Sequence, residues 1–280
     1  MHLLRFCALL LALAGAAARC DEAKPANADK PKAVFANLGD THAEVTVLQV
    51  LHALKATPAQ RALLQKAAAR TMQKPPPRKQ VKVTESYRKA LLGLRAALVS
   101  GDDEKIDEAT ETLDDLGDEV APEFEDAEIT DEARKQAPGL LKAFTARQVA
   151  AYVGGLDDFP DPGELLRSAL EQSRKKKAKE WATFRDDVAY QVGWLAAGLD
   201  AAAEEKARDR ATALLNKAAR LSEKDFAGQR AQLEKEAGEV VGKLGPTDVI
   251  RHFMERLLAE TLSNHRLTAA LAASNKAAKD

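Results

Sequence analysis

Cysteine is almost absent from this chain. Only Cys7 and Cys20 occur in 280 residues, and Cys7 lies in an apolar run read below as a removable signal. A mature chain with at most one cysteine holds no internal disulfide, and Cys-based zinc sites and thiol chemistry go with it. Neither sign of charge dominates: 42 Lys+Arg stand against 43 Asp+Glu, for a formal net charge of -1. No global field therefore favours nucleic acid. Aromatic residues make up only 5%. The motifs of common chemistries are missing too. There is no G-x-S-x-G, no G-x-x-x-x-G-K-[ST], no H-E-x-x-H and no C-x-x-C-H. No cofactor is implied, and the chain reads as a non-enzyme. An enzyme of unknown type stays open only because sites can assemble from residues far apart in sequence.

What is present begins with an address. His2 and Arg5 open a weakly positive start, and Leu3, Leu4 and Phe6 through Ala18 form an apolar run ending in small residues. That is the form of a secretory signal peptide, too short to span a bilayer. Two readings of its end stand side by side. Ala16-Ala17-Ala18 suits ordinary cleavage before Arg19. Alternatively, Cys20 becomes the lipid-carrying first residue, ahead of a polar, proline-punctuated tether. The second reading has a charged Arg19 where lipoprotein signals carry a small residue. Both place the protein outside the cytoplasm, in the periplasm or cell envelope, with membrane contact only through lipid on Cys20.

Alanine is roughly a fifth of the chain, far above average usage. It is the best helix former and lets helices approach closely, so the fold class is all-α with thin Ala/Leu-lined cores. Helix starts are marked. Thr41-x-x-Glu44, Thr57-Pro58-x-Gln60, Thr145-x-x-Gln148 and Asp161-Pro162-x-Glu164 read as capping boxes, and Thr84 and Ser222 as further caps. Inward stripes follow: Val45, Val47, Leu48, Leu51 and Leu54; Leu63 and Leu64; Tyr87, Leu91, Leu94 and Leu98; Ile106 and Leu113. A helix near residues 131–144 is expected to break at Pro138-Gly139. From Pro162 to Leu199 the pattern predicts one element, roughly 55 Å long if unbroken. Trp181, Phe184, Val188 and Leu195 form its buried stripe, and Lys175-Lys176-Lys177 marks a bend. No segment reads as a strand.

Two stretches resemble each other in order. Leu54-Lys55-Ala56-Thr57-Pro58-Ala59-Gln60 matches Leu141-Lys142-Ala143-Phe144-Thr145-Ala146-Arg147-Gln148, and Leu94-Arg95-Ala96-Ala97-Leu98 matches Trp194-Leu195-Ala196-Ala197-Gly198-Leu199. This suggests duplication. The expected layout is a signal over 1–19, a flexible linker over 20–37, helical halves over 38–125 and 126–243, and C-terminal helices over 244–280.

The elements Thr57 to Gln60 and Thr145 to Gln148 resemble the LTxxQ motifs of Spy/CpxP-like periplasmic proteins, although Ala56 and Phe144 stand where that family prefers leucine. The resemblance covers these two motifs and the export signal. It implies an exported, all-helical, non-catalytic protein with a binding, chaperone-like or stress-related role. As local chemistry, Thr-x-x-Gln is simply a helix cap.

Charge is segregated. Bases crowd from Arg61 to Arg95 and acids from Asp102 to Glu132; helices joined by short loops pack antiparallel, so these two stretches are expected to face and neutralise each other. Arg174, Lys175, Lys176, Lys177 and Lys179 form a sharper basic cluster, a candidate contact for an anionic surface. No metal site is expected. His42 with Glu44 and His252 with Glu255 offer only two ligands each, and Asp157, Asp158 and Asp161 lack the order of a calcium loop. The leading function is binding of other proteins or the envelope surface; the alternative is an envelope-tethered spacer. Intact-mass measurement of the native protein should find a first residue of Arg19 or Cys20. A diacylglycerol mass on Cys20 decides for anchoring, and a retained Met1 on a cytosolic protein removes the export reading.

Overall fold

The computed structural model describes residues 33–36, 38–77, 81–120, 128–154 and 161–277. The signal run, Cys20, Asp157 and Asp158 lie outside them. Twelve helices carry the described fold, which is all-α as expected. The chain divides into two compact units, residues 1–158 with 258–280, and residues 159–257. This division differs from the expected halves. The boundary falls after the second Thr-x-x-Gln element, and the expected C-terminal cap is shared between the units.

Unit one holds α1 (Gly39–Ala53), α2 (Pro58–Thr71), α3 (Glu85–Ser100), α4 (Asp103–Val120), α5 (Asp131–Leu141) and α6 (Ala146–Gly154). It also holds a two-stranded antiparallel sheet, β1 (Ala33–Ala36) with β2 (Val81–Thr84), in which Val34 pairs with Val83. That sheet corrects the expectation of no strand and of linker throughout 20–37. Each strand is four residues long, too short for alternation to show in the sequence.

Inside unit one, α3 packs on α1 and α4, and α2 on α5. Leu48, Leu51, Leu54, Leu64, Leu91 and Leu94 are buried as the stripes require. Leu63 is not; it is 44% exposed, because Leu64 takes the inward position on α2. α5 runs through Pro138 rather than breaking there. A proline this late in a helix removes one amide bond and displaces little that follows. Thr41 and Glu44 are not a capping box either: α1 starts at Gly39, with both inside it.

Glu44 instead forms the charged centre of unit one. It is 3% exposed, and its two oxygens accept from Arg95 at 2.6 Å and Arg266 at 3.1 Å. The C-terminal segment is pinned around it. Asn264 donates to the Ala43 carbonyl at 2.9 Å, His265 meets Asp40 at 2.9 Å, and Thr71 donates to the Leu262 carbonyl at 2.9 Å. α12 (Leu267–Ala277) then packs on α1, α2 and α3.

Unit two contains α7 (Pro162–Ser173), α8 (Ala178–Ala197), α9 (Ala201–Ala219), α10 (Glu223–Val241) and the start of α11 (Pro246–Ser263). The expected long element is two helices, α7 and α8, parted at the lysines. Arg174 ends the first and Lys177, in extended conformation, starts the second. α8 and α9 form a tight hairpin over Gly198, which sits at φ 64 with the His252 ring where a Cβ would be, 2.8 Å away. Only glycine fits both the backbone angle and that contact. A second glycine at positive φ, Gly101, ends α3 ahead of α4. α7 has no counterpart between α2 and α3. Arg256, 7% exposed, is held by Tyr190 and Glu204 and lies 5.2 Å from the Trp194 ring centre.

The basic and acidic stretches lie side by side where α3 packs on α4. Among described residues, Arg88 pairs with Glu85 and Arg95 with Glu44, while Asp102 and Asp103 pair with Lys105 and His52.

Burial pushes the Glu44 carboxyl up, but the hydrogen bonds from Arg95 and Arg266 outweigh it and hold the group below its ordinary value of 4.5. Its contribution to stability is thus complete above about 4.5 and is lost as pH falls through the lower folded value. Glu44→Gln should cost about 2–3 kcal/mol in urea unfolding at pH 7, less than a fully buried pair because water reaches both arginines. The difference from wild type should shrink as the pH is lowered.

Candidate functional site

Two turns of unit one bring the Thr-x-x-Gln elements together. The first follows α1, where Lys55 adopts φ 47. The Ala56 amide donates to the Leu51 carbonyl and the Lys55 amide to that of His52, which is a Schellman ending with lysine in glycine's usual place. Thr57 then caps α2. Its hydroxyl accepts from the Gln60 amide at 3.3 Å, and Gln60 Oε1 accepts from the Thr57 amide at 2.8 Å. The second turn repeats this on α6. Thr145 Oγ1 accepts from the Gln148 amide at 3.2 Å, and Gln148 Oε1 from the Thr145 amide at 3.0 Å. Ala56 and Phe144, which precede the threonines, are both buried.

The two boxes interlock. Gln60 Nε2 donates to the Ala143 carbonyl at 2.7 Å and to Gln148 Oε1 at 3.0 Å. Gln148 Nε2 donates to the Leu54 carbonyl at 3.0 Å and to Gln60 Oε1 at 3.0 Å. Each side-chain amide therefore caps its own helix, bonds the other amide, and ties down a carbonyl of the opposite turn. An amide has two lone pairs and two donor hydrogens, and here both glutamines use all four. This explains glutamine over glutamate. Either residue completes a capping box, but a carboxylate has no hydrogen to give, and two would repel. With both glutamine amides fully engaged within the protein, the arrangement positions two helix starts.

The basic cluster occupies the α7–α8 turn of unit two. Arg174 belongs to the fold: it bonds Glu223 at 2.7 Å and lies 4.7 Å over the Phe226 ring. Their hydrogen bond raises the Arg174 pKa and lowers that of Glu223. Lys175, Lys176, Lys177 and Lys179 are exposed. Lys179 lies 4.0 Å from Glu180, and Lys176 Nζ stands 4.8 Å over the Phe184 ring. Phe184 and Trp181 touch, with centroids 6.1 Å apart, and both are half-buried, whereas Val188 and Leu195 are buried. The expected burial of all four thus holds for two.

Asp161 is a cap, accepting from the Glu164 amide at 2.8 Å. His52 meets Asp103 at 3.3 Å, and His252 Nδ1 lies 2.9 Å from the Leu195 carbonyl. Among the described residues no three His, Cys, Asp or Glu side chains gather as metal ligands, and no helix is long and apolar enough to cross a membrane. Sequence reasoning missed the Glu44 centre and the Gln60–Gln148 contact, since both join residues that only tertiary folding brings together. No protein-family model, curated protein or solved structure matches the chain.

Gln60→Glu keeps the α2 cap but leaves the Ala143 carbonyl without its donor and faces Gln148 with a charge. It should lower stability by about 1–3 kcal/mol. Thr57→Ala and Thr145→Ala should each cost about 0.5–2 kcal/mol as caps. In a double-mutant cycle, Gln60→Ala and Gln148→Ala should couple by at least about 0.5 kcal/mol. Additive losses in urea unfolding would show the boxes to be independent caps.

Proposed function

We propose that this chain is an exported, non-enzymatic helical protein of the cell envelope that binds other proteins or the envelope surface, in a chaperone-like or stress-related role. The export part rests on the apolar run from Leu3 to Ala18. The likeness to LTxxQ proteins rests on the elements Thr57 to Gln60 and Thr145 to Gln148 alone. The observation that carries the binding role is the α7–α8 turn: four exposed lysines, three of them without an ion pair among the described residues, beside a half-buried aromatic pair. Exposed charges of this kind add little to stability, so their concentration in one turn suits recognition of an anionic surface.

Replacing Lys175, Lys176, Lys177 and Lys179 together by glutamine should leave the melting temperature nearly unchanged. Material that co-purifies with the wild-type protein from an envelope extract should be lost from the variant. Equal recovery by both proteins, or none by either, counts against the proposal.

A further inference from the structure

The apolar stripe of α8 does not stop where the core of unit two stops. Trp181, Phe184, Val188, Val192 and Leu195 step by three and four, which keeps them on one helix face. Val188, Val192 and Leu195 are buried. Phe184 and Trp181 continue the stripe toward the helix start, yet are only half-buried and lean on each other. The same end of the helix carries the exposed Lys175, Lys176, Lys177 and Lys179, with Lys176 over Phe184. A tryptophan–phenylalanine pair with Lys176 over one ring and three more exposed lysines in the adjoining turn combines two affinities. Indole rings favour the headgroup level of a bilayer, and lysines are drawn to anionic lipid and can snorkel toward phosphates while their stems lie on apolar surface.

We propose that the α7–α8 turn is a docking site for an anionic phospholipid bilayer, into whose headgroup layer Trp181 and Phe184 insert while the four lysines engage lipid phosphates. This deepens the surface-binding reading above and rests on it. Size favours a bilayer over a folded partner. Two partly covered rings, of about 150–250 Å² each, fall well short of the roughly 800 Å² that a stable protein interface buries on each side. A lipid surface needs no such complementary patch.

The chain has two tryptophans, and Trp194 is 4% exposed, so Trp194→Phe leaves Trp181 as a single reporter. The chain lacking its signal run is titrated at low salt with vesicles of phosphatidylglycerol and phosphatidylcholine, and with phosphatidylcholine alone. With anionic vesicles, Trp181 emission should move to shorter wavelength and be quenched by bromine-labelled acyl chains. Neutral vesicles should do neither. Each lysine replaced by glutamine should weaken binding about five-fold, and Trp181→Ala about ten-fold. If Trp194→Phe unfolds the protein, wild type and Trp181→Phe give the same signal by difference. Co-flotation with anionic vesicles without a shift or quenching overturns insertion but leaves surface attraction standing. No association with anionic vesicles removes both. An equal shift with polyglutamate in place of vesicles overturns the bilayer as the occupant in favour of an acidic polypeptide.

Discussion

Two glutamine side chains hold unit one in register. Gln60 and Gln148 lie 88 residues apart, and their amides bond each other while each also caps a helix and fastens the opposing turn. Such a pair has one satisfied arrangement. A shift of either turn would break both amide–amide bonds and those to the carbonyls of Leu54 and Ala143. Partly satisfied networks are costlier than none, so this contact selects a single geometry more than it adds net stability. It fixes where α2 and α6 begin. The packing of α2 on α5 and on the C-terminal helix α12 proceeds from that start.

The left-handed Lys55 follows from the same constraint. A lysine at φ 47 is strained relative to glycine, by an amount of order 1 kcal/mol. The Schellman turn it completes leaves the Leu54 carbonyl pointing out of the helix end, where Gln148 Nε2 reaches it at 3.0 Å. The second turn reaches its cap differently, through three-residue bonds from Ala143 and Phe144. The two Thr-x-x-Gln elements thus meet through the same side-chain contact although the turns that present them differ.

What was legible in the sequence was local. Thr57, Thr84, Thr145, Asp161 and Ser222 each cap a helix, because a cap needs only a side chain and an amide three residues on. The all-α class followed from alanine content and stripe spacing. What failed was long-range or decided by packing. Glu44 has the spacing of a capping-box acid, but Arg95 and Arg266 claim it. The pairing of β1 with β2 joins strands too short to declare themselves. Trp181 and Phe184 carry the periodicity of a core stripe, and periodicity does not say how far along a helix the core extends. For the same reason the sequence could name both Thr-x-x-Gln elements without showing that they meet.

The ion pairs at the buried Glu44, at Arg256 and at Arg174 all use arginine. Arg95 and Arg266 hold Glu44, Arg256 is enclosed by Tyr190, Trp194 and Glu204, and Arg174 joins Glu223 across the Phe226 ring. Guanidinium is planar, weakly hydrated and able to donate in several directions while stacking on a ring, so it suits positions against a buried carboxylate or an aromatic face. The ammonium of lysine is compact and strongly hydrated, and keeps to water. In the α7–α8 turn the contrast spans adjacent residues: Arg174 is built into the bundle, and Lys175 to Lys177 stand outside it. A polybasic run that began as four equivalent charges in the sequence is therefore one structural arginine and a lysine surface. Substituting Lys175, Lys176 or Lys177 breaks no ion pair among the described residues, whereas substituting Arg174 breaks the one to Glu223.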